Sequence, residues 1–301
     1  MFPLSSTHAT ELNNIGDVQR RRERVAIMEE LSGFNYLLGR PQIQQLELEA
    51  ALNDIEGVSI APQGPIDLIG PSLLWAFGKR GGLQMEGSDD PAAMAKHVCE
   101  QMGIDMGTDP MVSLNLWAER QLLTGPDDHE DPNLLADGYD RQKWRDIVEK
   151  RVEQERYLVR QLDLDPKLRQ GRLRDVVNAR ELEIELGHMV ERLTAPMGTS
   201  ITQLLNDDRA KARDFTDRMP STRVAVSLKA AYHKDNRHKW TTNDIHDIDA
   251  LSIAVPYCDA VFTDKAARNQ MVRSPELEVF GTFLPRTPIE LADWLDGLPP
   301  V

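Results

Sequence analysis

Asn243-Asp244-Ile245-His246-Asp247, running on through Pro256-Tyr257-Cys258-Asp259 to Thr263-Asp264-Lys265, is the stretch that decides how this chain folds. Its spacing predicts a helix over 243–255 with Ile245, Ile248, Ser252 and Val255 on one face, then a tight turn. A short apolar strand, Ala260 to Thr263, follows and delivers Asp264 just beyond its end. Asp244 and Asp247 are three residues apart near a helix start. Their side chains should stand about 5–6 Å apart on one face, where the helix dipole favours the ionised form. Crowded carboxylates raise one another's pKa unless a cation neutralises them. Oxygen donors without a Cys or a His pair select Mg2+ or Mn2+ over zinc. Two such ions about 3.5–4 Å apart can activate a water and steady the leaving oxygen of a phosphodiester. Taken alone, the same acids also read as ordinary helix caps. Asp249 lies about 200° round the helix from Asp247 and is expected at the surface.

Outward from that stretch, composition sets the limits. The chain has 301 residues, 41% of them hydrophobic and 6% aromatic, enough for one large domain or two modest ones. No apolar run approaches the ~20 residues that cross a bilayer, and no basic-then-apolar leader opens the chain. Cys99 and Cys258 form neither a disulfide framework nor a metal-spaced cluster, so the cytoplasm is the expected compartment, without a membrane partner. A net charge of -14 argues against a protein that coats nucleic acid nonspecifically, but does not exclude a carboxylate metal site, which is itself a concentration of acids. Between 218 and 239 the balance inverts: Arg218, Arg223, Lys229, Lys234, Arg237 and Lys239 face the single acid Asp235. That run is either a solvated helix face or a phosphate-facing flank beside the acids, with Lys229, Arg237 and Lys239 the candidate contacts.

The remaining segments are mostly helical. A helix capped at Ser5 or Ser6 runs to residue 14; Asp17 caps a second ending near Gly33; Pro41 opens a third. Residues 57–71 are expected as loop and Leu73 to Phe77 as a short helix. Trp144, Val148, Val152, Leu158, Val159 and Leu162 form one apolar stripe, and Leu173, Val176, Val177, Ile184, Met189, Val190 and Leu193 another. A helix over 222–233, a second strand over 277–283 and a capped last helix from Thr287 complete the chain. Glu185 and His188 have the spacing of a di-iron bundle but no second such pair, so a polar helix face is expected there.

Three features occur in order: Glu11 within Ser5-Ser6-Thr7-His8-Ala9-Thr10-Glu11; Asp247 sixteen residues before Thr263, with Ala254 between; and Asp264 after an apolar strand. This set resembles the PIN-domain nucleases over roughly residues 3–78 and 216–290. Asn243-Asp244 with Pro256-Tyr257-Cys258-Asp259 resembles a narrower bacterial PIN-like subgroup. The resemblance implies a helix-dominated α/β fold: a parallel sheet flanked by helices in one composite domain. Residues 1–78 would be its N-terminal part, 79–215 a large helical insertion and 216–301 its C-terminal part. It implies a Mg2+ or Mn2+ site held by Glu11, Asp244, Asp247 and Asp264, with Asp259 in a supporting place. A nuclease acting on nucleic acid, RNA before DNA, is the expected function. Toxin or defence activity is what the family's company implies, and a homo-oligomer is left open. The family's first acid, at the end of its first strand, has no counterpart before Glu11. An N-terminally short chain is therefore expected; a catalytically silent interaction protein on the same fold is the alternative, and an all-α regulator with the acids as helix caps a third reading.

Overall fold

A computed structural model describes residues 1–63, 66–83, 89–107 and 109–299, and helices dominate it. The chain divides into two compact units: Met1–Gln42 with Pro65–Arg141, and Ile43–Gly64 with Gln142–Val301. The segment 79–215, expected as one insertion, contributes residues to both. Gly64 and Pro65 of the expected 57–71 loop lie outside the described residues.

In the first unit the helices Ser6–Asn14, Val18–Ser32 and Pro110–Thr124 pack around Leu4, Leu12, Val25, Phe34, Tyr36 and Leu123. The first helix starts where the Ser5 backbone N–H donates to His8 Nδ1 at 3.0 Å; the second is capped by Asp17 and ends at Gly33 in the left-handed region. Arg21 is fully buried and donates to the Ile15 and Thr124 carbonyls at 2.7 and 2.6 Å. A guanidinium can be buried this way because backbone oxygens replace its water. Tyr36–Leu37 pairs antiparallel with Ile69–Gly70, and Leu4 meets Tyr36 in a parallel bridge.

The second unit is built on the helix Pro220–Lys234, which is buried nearly all round: Val224, Ala225, Val226 and Leu228 are each 0% exposed, and Ser221, Thr222, Lys229 and His233 are buried too. A helix with that pattern has to sit in the middle of its neighbours. One core joins it to the helix Thr242–Tyr257 through Ile245, Ile248 and Val255, together with Val152, Ala267 and Met271. Another gathers Leu48, Leu52, Leu186, Phe215 and Met219. The long helix Arg141–Leu164 buries Val152, Leu158 and Leu162, but Trp144 is 61% exposed and leaves the expected stripe.

Two expected strands are corrected. The 260–263 segment makes only a parallel bridge, Ala260 to Phe283, with Val261 N–H donating to the Phe283 carbonyl at 2.9 Å. The 277–283 strand is instead largely a 3-10 helix, Pro275–Phe280. Pro275 opens that helix where a missing N–H costs nothing, and Gly281, at φ 65, closes it. Among the described residues, parallel pairing is confined to the two bridges, and no helix is long and apolar enough to cross a membrane.

Candidate functional site

The acidic end of the Thr242–Tyr257 helix is organised by its cap. Thr241 Oγ1 accepts from the Asp244 N–H, and Asp244 Oδ2 accepts in return from Thr241 N–H and Oγ1 at 2.7 and 2.8 Å. His238 Nε2 lies 3.4 Å from Asp244 Oδ1. Burial works to raise the Asp244 pKa, but His238 and the Thr241 donors outweigh it and hold the carboxyl below its ordinary range. Asp247 follows on the same face, half-buried. Asp264 is exposed at the N-cap of the helix Lys265–Val272, accepting from Ala267 N–H at 2.8 Å.

What ties the three acids together is Tyr232. Its ring is buried, stacked on His238 at 4.7 Å and edge-on to Trp240 at 5.7 Å. Its hydroxyl pKa is pushed up, first by burial and then by the negative charges of Asp247, Asp244 and Asp264. All three carboxylates therefore act on one phenol from the neighbouring helix. Sequence reading put Tyr232 and His238 in no site, although both fall in the basic run ahead of the acids.

Other candidates lie elsewhere. Asp259 follows the last turn of the Thr242–Tyr257 helix, and about 1.5 Å of rise per residue sets that end about 20 Å along the axis from Asp244. It lines a groove of about 520 Å3 with Tyr257, Cys258, Phe280, Thr282 and Trp294, so it supports no ligand held at the first turn. Burial and Asp259 push the Cys258 thiol up, away from thiolate chemistry. Glu11 is exposed on the Ser6–Asn14 helix of the first unit. Arg237 and Lys239 are exposed in the loop before the acidic helix.

Lys229 does not face phosphate. It is 3% exposed, and its Nζ lies 2.7 Å from Glu181, 3.2 Å from Glu155 and 3.5 Å from Glu185. Burial lowers an ammonium pKa, but the glutamates more than reverse this and hold Lys229 above its ordinary value. Burial likewise works to raise Glu155, yet Lys229 and His233 bring it down to about 2. His233 Nε2 is 2.8 Å from Glu155, and burial lowers its pKa. Asp249, expected at the surface, is bonded to Arg151 at 2.6 and 2.8 Å, and Arg151 also reaches Glu185. A π turn, Glu181–Glu185, directs both of its end glutamates at Lys229: the Leu186 N–H reaches back to the Glu181 carbonyl.

Another buried carboxylate also escaped sequence reading. Glu47 accepts from Ser221 N–H and Oγ at 2.9 and 2.6 Å and from the Tyr257 hydroxyl at 2.7 Å, and burial raises its pKa. Its partners lie far from it in sequence, so no local pattern marks it.

Oxygen-only donors at Asp244, Asp247 and Asp264 suit a hard cation. Among the described residues, no group of three or more His, Cys, Asp or Glu side chains is arranged to hold a metal ion. No protein family, curated protein or solved structure matches the chain.

Proposed function

We propose that this chain is a PIN-like, Mg2+- or Mn2+-dependent nuclease of the cytoplasm acting on RNA. What supports the reading is that Asp244 and Asp247 stand in the first turns of one helix and Asp264 caps the next, with the negative charges of all three pushing the buried Tyr232 hydroxyl up. The parallel bridge between Ala260 and Phe283 precedes Asp264 in the chain. Asp244, Asp247 and Asp264, all in the second unit, would hold the cation. A bound divalent ion supplies an activated water and charge stabilisation for the leaving oxygen. The protein's own part is to orient the carboxylates: Thr241 and His238 fix Asp244, and the Ala267 N–H fixes Asp264. Arg237 and Lys239, exposed beside the acidic helix, suit the phosphate backbone.

The alternative is a catalytically silent interaction protein on the same fold. It draws on Asp244 and Asp264 each being satisfied as a helix cap without any ion. Cleavage of single-stranded RNA in Mn2+ separates the two: wild type should cut and Asp247→Asn should not. Equal cleavage by both proteins overturns the nuclease site, and cleavage by neither favours the silent reading.

A further inference from the structure

Within the second unit, residues between 179 and 212 line a groove of about 990 Å3, remote in sequence from the acidic helix. Its floor is apolar, made by Leu182, Val190 and Leu205, which are the outer members of the core containing Leu48 and Phe215. Its rim is acidic. Glu183, Glu191, Asp207 and Asp208 line it against the single cation Arg209. Asp208 caps the helix Arg209–Asp217, whereas Glu183, Glu191 and Asp207 make no ion pair among the described residues. Nearby acids behave differently: Asp175 pairs with Arg213, Asp214 with Arg218 and Asp217 with Arg174. The π turn accounts for Glu183. With Glu181 and Glu185 committed to Lys229, Leu182 and Glu183 between them line the groove.

We propose that this groove docks a basic amphipathic helix of a partner protein. A row of apolar side chains at helical spacing matches the Leu182, Val190 and Leu205 floor, and Lys or Arg on the flanks of that helix meets the rim. Charge complementarity of this kind sets orientation and association rate. A polynucleotide would be repelled by the rim, and a small cation would leave the floor unused.

The test uses the full chain and a fluorescein-labelled peptide of about four helical turns, with Leu at i, i+3 and i+7 and Lys elsewhere, read by anisotropy. Saturable one-to-one binding is expected. Glu183→Lys with Glu191→Lys should weaken it by about tenfold or more and gain affinity for the Lys-to-Glu peptide. Ala195→Trp, at an exposed position lining the groove, should block it. All three sites are exposed, so unchanged melting of the variants keeps the reading clean. The proposal is overturned by absent binding, by equal binding of a scrambled peptide of the same charge, or by folded variants that bind like wild type. Equal affinity for dodecyltrimethylammonium would also overturn it, replacing the helix by a small cationic amphiphile.

Discussion

Around Lys229, three glutamates from two other helical segments close on an ammonium that the chain itself supplies. Around Tyr232, less than one turn further along the same Pro220–Lys234 helix, three aspartates act on a neutral phenol. The first cluster is buried, and Lys229 and Arg151 pair with its acids from inside the fold. The second keeps its acids half-buried or exposed, at two helix starts. Desolvating several carboxylates together is unfavourable unless a paired cation offsets it, so the cluster with an internal cation is the one that goes inside. The difference separates a structural use of acids from a chemical one: the inner set already has cations of the chain beside it, and the outer set is where an external cation has something to gain.

The largest effect should come from removing the internal cation. Lys229→Met leaves Glu155 and Glu181 buried without their ammonium and should cost about 3–5 kcal/mol in urea unfolding. Adding Glu181→Leu should recover a large part of that loss. If the single variant is as stable as wild type, the inner cluster is not held by charge and the comparison fails. Next, Asp247→Asn should reduce Mn2+-dependent RNA cleavage on the order of 100-fold, about 2.7 kcal/mol in the barrier, in a variant that still folds and unfolds cooperatively in urea. A loss of stability instead would make the outer cluster structural too.

A milder form of the Lys229 cut is available through pH. Glu155 is held at about 2, below its ordinary value, so its contribution is present above the unfolded carboxyl pKa and lost as pH falls towards about 2. His233, also lowered, stays neutral in the fold while the unfolded ring takes a proton, so stability should already fall as pH drops below the ordinary imidazole value. Glu47 works the other way: its raised pKa adds stability as pH falls through its window and offsets part of the loss. Unfolding from about pH 7 down to about pH 3 should show a net decline, and Glu155→Gln should flatten its lower part. The smallest effect is expected for Thr241→Ala, which removes the helix cap and one donor to Asp244. About 1 kcal/mol should be lost in urea unfolding.

The helices were legible because their punctuation is local. Asp17 and Gly33 bracket one helix, and Thr287 and Pro288 open another, as the spacing predicts. The 3-10 segment was misjudged because Leu277, Val279 and Phe280 carry strand-like side chains, while Pro275 and Gly281 govern the backbone. Asp244, Asp247 and Asp264 could be named from spacing, but Tyr232 could not, since its relation to them arises only when two helices pack. Lys229 was misplaced for a related reason. A cation in a basic run looks solvated, yet the neighbouring Val224, Val226 and Leu228 already mark an interior helix. Its glutamates lie in distant segments, and the π turn that presents two of them has no sequence signature.

Calorimetric titration of the intact chain with Mn2+, beside Asp247→Asn, tests the central claim most directly. The account predicts a saturable binding heat for the wild-type protein that the substitution removes. Identical heats from both, or none from either, would contradict it and leave the outer aspartates as helix caps.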